Sequence, residues 1–298
     1  MSMPAVSTSP RSSAGSAGRR APLAVPGDGG HPASLAVPGD GGHAAGQPVS
    51  LAFPGDGGHA AGSQASLAAP VDGLHAAGRQ ASLAVPADGL HTWILRVPAA
   101  DEPGPTSLPP ELDEAEADRA GSFVRPLDRQ RYVAAHLALR RLLARYTGIP
   151  PGRIRLGRSG GPRGKPLLLD APVPLHFSLS HSHGLIAIAV AGRPVGVDVQ
   201  ALPSPERVEA CLPALHPAER EELAGLPTAE RLVEFGRLWT RKEAFLKGLG
   251  TGLARPPAAD YLGRRATPEG PEGWIVRDLP THPGYAAATA LRTPGSRT

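Results

Sequence analysis

Large apolar side chains are spread so unevenly along these 298 residues that only the region from about residue 90 onward can build a core. Of the twelve aromatics, Phe53 alone precedes residue 90, and the other eleven lie between Trp93 and Tyr285. Aromatic rings carry much of the apolar area that a core buries. The folded unit is therefore expected to begin near residue 90, leaving roughly 210 residues for one compact body or two small halves.

Residues 23–91 instead hold five copies of a short phrase of the type LAVPGDGGH, starting at Leu23, Leu35, Leu51, Leu67 and Leu83. Pro-Gly-Asp-Gly is turn chemistry. Between copies the residues are small and weakly apolar, so a disordered low-complexity extension over 1–89 is expected, because too little burial offsets the ordering entropy. A solenoid would have one leucine per repeat to stack, which is little. Metal capture by His31, His43, His59 and His75 with their Asp neighbours would rest on one histidine per flexible unit, a poor site. The last copy, Pro86–His91, runs directly into an apolar stretch at Thr92–Val97, so tandem duplication of the segment before a first strand accounts for the array.

A single cysteine, Cys211, excludes an internal disulfide framework and suits a reducing compartment. It reads as a small buried hydrophobe. No apolar run approaches the roughly 18 residues of a membrane span, and MSMPAVSTSPRSSAGSAGRR lacks the apolar region of a secretory signal, so a cytoplasmic protein with no membrane partner is expected. Before residue 91, four arginines face five aspartates; the remainder carries 27 basic and 22 acidic side chains. That excess suits polyanionic ligands or acidic partner proteins. It is too diffuse for a nucleic-acid binder, since no Lys/Arg run and no aromatic stacking platform accompanies it.

Within the folded region the periodicity predicts a strand at Thr92–Val97, a Pro- and acid-rich connection (Ala99–Asp118) and a helix over Phe123–Tyr146. That helix carries Arg129, Arg131, Arg140, Arg141 and Arg145 between its apolar positions, a face that is ordinarily solvated unless it meets a phosphate, and Gly148, Pro150 and Pro151 close it. The stretch Gly160–Pro166 is not a P-loop. Pro166 stands where the hydroxyl should follow the lysine, and Ser159 where the first glycine should be. A glycine-rich hairpin offering Lys165 to an anion is the better reading.

LHFSLSHS (175–182), LIAIAV (185–190) and VGVDVQ (195–200) read as strands, the last two as a hairpin around Gly-Arg-Pro. Alternation puts Val195, Val197 and Val199 on one face and Gly196, Asp198 and Gln200 on the other. Asp198 in so apolar a strand is costly unless paired or metal-bound, with an exposed edge position as the alternative. His181 reads equally as a structural histidine or a ligand contact. Leu232–Leu249 is expected to be a helix with Trp239, Glu243 and Lys247 on one side, and two strands follow near Trp274–Val276 and Tyr285–Leu291. By itself an i,i+4 Glu–Lys pair is ordinary, worth about 0.2–0.5 kcal/mol. Combined with a strand that presents Asp198 and Gln200, it becomes a kit for holding a metal ion against a phosphorylated ligand.

Taken in order, F-S-L-S-H-S (177–182), G-V-D-V-Q (196–200) and W-T-R-K-E-A-F-L-K (239–247) closely resemble the signatures of the surfactin-type 4'-phosphopantetheinyl transferases. The likeness also takes in Gly164-Lys165-Pro166 and the Arg131–Arg140 helix, and the repeat array lies outside it. It implies an α+β fold of two similar α/β halves in pseudo-twofold arrangement, with boundaries at 90–192 and 193–298 and a ligand cleft between them. It also implies Mg²⁺-dependent transfer of the phosphopantetheine arm of coenzyme A to a serine of an apo acyl or peptidyl carrier protein, releasing adenosine 3',5'-bisphosphate, by a monomer. By motif position Asp198, Gln200 and Glu243 match the metal ligands, Glu243 being also the candidate base, and Lys247 matches a phosphate contact. Ser180 and His181 match the coenzyme A loop, Lys165 and Arg131 further phosphate contacts, and Arg119 a weaker one. Two departures stand out. Gln200 occupies a position where many members have Glu, removing a formal charge, and Ser178 replaces the usual Asn. Gln200 leaves one alternative from another class, a catalytically impaired homologue that binds coenzyme A or a carrier protein as a scaffold.

Overall fold

A computed structural model describes residues 89–97, 107–159, 164–172, 174–263 and 270–295. Residues 1–88, and with them all but the end of the repeat array, lie outside the described residues. The last repeat ends inside the fold: Leu90 and His91 open strand β1 (Leu90–Arg96), and His91 Nδ1 lies 2.5 Å from the Tyr146 hydroxyl.

Two three-stranded antiparallel sheets form the frame. The first has the order β1–β5–β4, with β4 at His176–Ser182 and β5 at Leu185–Ala191. The second has the order β6–β8–β7, with β6 at Val195–Ala201, β7 at Trp274–Asp278 and β8 at Tyr285–Arg292. Each sheet places its first strand at one edge and its last strand in the middle. Each also carries a 22-residue helix between its first and second strands.

In the first half that helix is α2 (Pro126–Thr147), preceded by the short α1 (Glu114–Gly121) and followed by a hairpin of β2 (Arg155–Arg158) and β3 (Pro166–Leu169). In the second it is α5 (Thr228–Leu249), preceded by α3 (Pro205–Cys211) and α4 (Pro217–Ala224). Cys211 is buried, as its composition suggested. Proline at the first turn starts α2, where its missing N–H costs nothing. Gly148 and Gly250, both at positive φ (70° and 78°), cap α2 and α5 in the left-handed conformation that other residues resist.

Strand alternation stacks the layers. On β5, Ile186, Ile188 and Val190 pack with Leu139, Leu142 and Leu143 of α2. Ala187, Ala189 and Ala191 turn the other way, onto Val195, Val197 and Val199 of β6. On the far side α5 covers the second sheet through Leu238, Trp239 and Phe245, against Trp274, Val276, Ala288 and Ala290. Burial of side chains of this size stabilises the fold by about 1.5–3 kcal/mol each relative to exposure.

Three expectations need correction. The runs 185–190 and 195–200 are not a hairpin. Both edges of β5 are already taken by β1 and β4, so β6 crosses into the second sheet and pairs with β8. The acid-rich connection contains a helix, α1, whose start is fixed by a capping box in which Asp113 accepts from Glu116 N and Glu116 accepts from Asp113 N. Nor is the arginine face of α2 simply solvated. Arg140 is fully buried, donating to Glu116 (2.6 Å), Asp113 (2.5 Å) and the carbonyls of Pro151 and Ile154, and Arg141 pairs with Glu111.

Among the described residues, no helix is long and apolar enough to cross a membrane.

Candidate active site

β6 lies next to β4 of the other sheet, yet the two do not share a backbone ladder. Its free N–H groups are satisfied by side chains. Val197 N donates to Ser178 Oγ (3.1 Å), Val199 N to Ser180 Oγ (3.4 Å) and Ala201 N to Ser182 Oγ (3.1 Å). A buried N–H without a partner costs as much as a lost hydrogen bond, so three serines at every second position of β4 knit the two sheets. Ser178, where the related signature carries Asn, takes part in this contact.

On the face of β6 turned to α5, Gly196 allows a backbone-to-backbone approach. A Cβ there would lie 1.9 Å from Ala244 O and 2.5 Å from Gly248 N. That closeness brings Glu243 and Lys247, on either side of Ala244 along α5, up to Asp198. Asp198 has no exposed surface. Its Oδ1 accepts from Lys247 Nζ at 2.6 Å and from Ser180 Oγ at 2.6 Å, and its Oδ2 accepts from the Gln200 amide at 3.3 Å. Lys247 Nζ also donates to Ser180 Oγ at 3.0 Å.

Glu243 is buried and its Oε1 has no hydrogen-bond partner. Burial, and next the charge of Asp198, push its carboxyl up to about 8, with Lys247 pulling the other way. Two buried carboxylates thus lie near one ammonium, which is bonded to Asp198 and acts on Glu243 through its charge. An orphaned carboxylate oxygen beside a second carboxylate is a donor set that suits a hard cation. Among the described residues no group of three or more His, Cys, Asp or Glu assembles for a metal; the set expected from the sequence has two carboxylates and an amide, Asp198, Glu243 and Gln200.

The remaining expected residues are placed around this group. His181, the next residue after Ser180, points by alternation to the other side of β4, toward α2. Burial holds its ring down to about 4, and the charges of His136, Lys247 and Arg131 act in the same direction. Arg131 projects from α2 and pairs with Asp128 at 3.1 Å. Arg119 sits at the α1–α2 corner with its guanidinium 4.5 Å from the Phe123 ring centroid and its buried Nε without a hydrogen-bond partner. Lys165 directs its ammonium into two backbone carbonyls, Val195 O (2.8 Å) and Gly248 O (2.9 Å). Asp198, Gln200, Glu243, Lys247 and Ser180 therefore meet in one cluster. His181 borders it, Arg131 lies close to His181, and Arg119 has no hydrogen bond or ion pair to it. A pocket lined by Lys165, Pro166, Phe177, Ser178, Leu179, Leu246, Lys247, Gly250 and Gly252 opens beside Lys247, between the two halves.

Trp239 and Lys242, in the same helical motif, do other work. Trp239 stacks on Phe235 in the core. The ammonium of Lys242 is held by Glu219 (2.8 Å) and the carbonyls of Pro257 and Asp260. Arg241 makes a bidentate pair with Asp278. These two cations anchor the 257–263 segment and β7 onto α5, so the turn carrying Glu243 is braced on its outer sides. Sequence reading passed over them, and over the Ser178/Ser182 bonds and the Glu116–His136 contact (2.8 Å). The one available signal was the run of three charges, Arg241-Lys242-Glu243, between Leu238-Trp239 and Ala244-Phe245-Leu246, where apolar neighbours on both sides imply burial.

Two buried acids, an ammonium bound to one of them and an arginine near His181 make a site chemically suited to a phosphate-rich ligand. Comparison with known proteins agrees. A family model for the 4'-phosphopantetheinyl transferase superfamily matches residues 194–290. A putative 4'-phosphopantetheinyl transferase of Synechocystis sp. is 37% identical over 147 residues, covering 48% of this chain and 58% of that protein. The 4'-phosphopantetheinyl transferase HetI of Nostoc sp. is 37% identical over 148 residues, covering 48% and 62%. The 4'-phosphopantetheinyl transferase pptA of Paxillus involutus is 30% identical over 193 residues, covering 56% and 72%. The chain belongs to the 4'-phosphopantetheinyl transferase superfamily. It spans about three fifths of the length of the first two of these relatives.

Proposed function

We propose that this protein transfers the 4'-phosphopantetheine arm of coenzyme A to a serine of an apo acyl or peptidyl carrier protein and releases adenosine 3',5'-bisphosphate. The observation that carries the reading is the buried meeting of Asp198, Glu243, Lys247 and Ser180 where β4, β6 and α5 come together. The similar strand order of the two sheets supports a pseudo-twofold pair of halves, 90–192 and 193–298, with the site at their junction.

In this reading the carrier serine Oγ forms a bond to the phosphorus that bears pantetheine. The bond from that phosphorus to the bridging oxygen breaks, and adenosine 3',5'-bisphosphate leaves. Glu243, whose Oε1 has no hydrogen-bond partner, accepts the serine proton. Lys247 places its ammonium on the pyrophosphate as negative charge builds on the leaving oxygen. Arg131 and His181 hold the coenzyme's anionic groups, Ser180 fixes the Lys247–Asp198 pair beside them, and Arg119 offers its unpaired Nε from the α1–α2 corner. Mg²⁺ held by Asp198, Glu243 and the side-chain oxygen of Gln200 would supply Lewis-acid neutralisation of the pyrophosphate.

Intact-mass spectrometry of a panel of apo carrier proteins incubated with coenzyme A, Mg²⁺ and this protein tests the assignment. A mass gain of one phosphopantetheine on at least one carrier is the expected result. Binding of coenzyme A without any mass gain across the panel would instead make the protein a scaffold.

Gln200→Glu gives a sharper check of the metal set. A third carboxylate beside Asp198 and Glu243 adds a hard anionic ligand and also like-charge repulsion. The variant should need several-fold less Mg²⁺ for half-maximal rate and should melt at a lower temperature than the parent when Mg²⁺ is absent. A Mg²⁺ titration that superimposes on the parent's would remove Gln200 from the set.

A further inference from the structure

Lys165 stands in a hairpin of the first half, yet its side chain ends in the second. Its ammonium donates to Val195 O, the first carbonyl of β6, at 2.8 Å. It also donates to Gly248 O, in the last turn of α5, at 2.9 Å. The stem lies along the cap of that helix, where a Cβ on Gly250 would come within 3.2 Å of Lys165 Cβ.

Both carbonyls need a donor from outside their own element, for a physical reason. Gly248 O is among the last four of its helix, which have no intrahelical donor. A cation there also complements the negative end of the helix dipole. Val195 O lies on the strand whose N–H groups at 197, 199 and 201 are already served by serine hydroxyls from β4. Lys165 thus supplies the carbonyl end of the same seam.

The positions joined are informative. Val195 is three residues before Asp198, and Gly248 directly follows Lys247. Two of the three ammonium protons are spent on this join, which leaves little for an anion. Burial draws the Lys165 ammonium down to about 8, as expected for a group with no carboxylate beside it.

We propose that Lys165 is a positioning residue: it clasps the C-terminal turn of α5 to the start of β6 and so sets Lys247 against Asp198. The proposal rests on the transferase reading above for its kinetic consequence, and on the hydrogen bonds alone for its structural one. Lys165→Met keeps the stem and removes the ammonium; Lys165→Arg keeps a charge that reaches both carbonyls.

With the full chain, coenzyme A and a responsive carrier, Lys165→Met should lower kcat tenfold or more while KM for coenzyme A stays within threefold. Lys165→Arg should recover most of that loss. Because Lys165 acts through Lys247, adding Lys165→Met to Lys247→Met should cost less than a further twofold, since coupled residues are non-additive. A mostly KM effect, or an equal loss in both backgrounds, would overturn the clasp.

Hydrogen exchange provides a reading independent of turnover. Amides at 246–250 should exchange at least tenfold faster in Lys165→Met than in the parent, and slow again in Lys165→Arg. Unchanged protection would overturn the clasp whether or not the parent transfers phosphopantetheine. A parent that transfers nothing but loses protection in Lys165→Met would count against the transferase reading alone. Should Lys165→Met not fold, the same amides compared between Lys165→Arg and the parent decide the matter, near-equal protection being the expected result.

Discussion

Asp198→Ala is expected to abolish transfer while leaving a folded protein. The carboxylate is fully buried and accepts from Lys247, Ser180 and Gln200. It is also the only acid that β6 brings to the junction of the halves. Removing it takes away one of two carboxylates in the proposed metal set and releases Lys247 from its set position. A loss on the order of 10³-fold in rate is reasonable for removing a preorganised charge of this kind.

Stability should respond differently. Breaking a buried ion pair typically costs about 3–5 kcal/mol because one charge is left unpaired. Here Glu243 remains beside Lys247, and the repulsion between the two carboxylates disappears. The variant should therefore lose less stability than an isolated pair would. Thermal melts and single-turnover mass spectrometry on the same preparation separate the two effects. Near-normal turnover in Asp198→Ala would remove Asp198 from the chemistry. A collapse of folding instead would show that its hydrogen bonds matter more than its charge.

The sequence was most legible where a local rule was strict. Period-two alternation placed Asp198 and Gln200 on one face of β6, and period 3.6 placed Glu243 and Lys247 on one side of α5; both hold. The glycine caps marked the end of each long helix for the same reason. What stayed hidden depends on partners far apart in the chain. The β5–β6 turn looked like a hairpin because its residues fit one. That β5 has no free edge is a property of β1, about ninety residues upstream. Arg140 looked like one more exposed arginine, since its partners Glu116, buried on α1, and Asp113, the cap of that helix, lie inside an acid-rich stretch. Lys165 was expected to face an anion; the two carbonyls that receive it are contributed by residues 30 and 83 positions away. Side chain-to-backbone seams such as the Ser178–Ser180–Ser182 bonds leave no periodic trace, because a serine in a strand looks the same whether or not a neighbouring sheet uses it.

Among the described glycines, Gly196 should be the one whose change to alanine does the most damage. The added carbon would lie 1.9 Å from Ala244 O and 2.5 Å from Gly248 N. Both atoms are backbone of α5, so no rotamer change relieves the clash and the helix itself must move off β6. Ordinary overpacking costs about 1–3 kcal/mol, and a main-chain clash should cost at least the top of that range. At about 2–4 °C per kcal/mol for a domain of this size, Tm should fall by roughly 10 °C.

Activity should fall further than stability does. Ala244 is flanked by Glu243, and Gly248 by Lys247, so any outward shift of α5 carries both away from Asp198 and Ser180. Gly225→Ala is the matched control. It adds the same methyl at a helix end with negative φ (−80°) and nothing within 4 Å, and should be close to neutral. If Gly196→Ala melts like Gly225→Ala and keeps full activity, the close approach of α5 to β6 does not set the site. If it keeps its Tm but loses turnover, the helix has shifted without unfolding, and the Lys247–Asp198 contact is what the glycine protects.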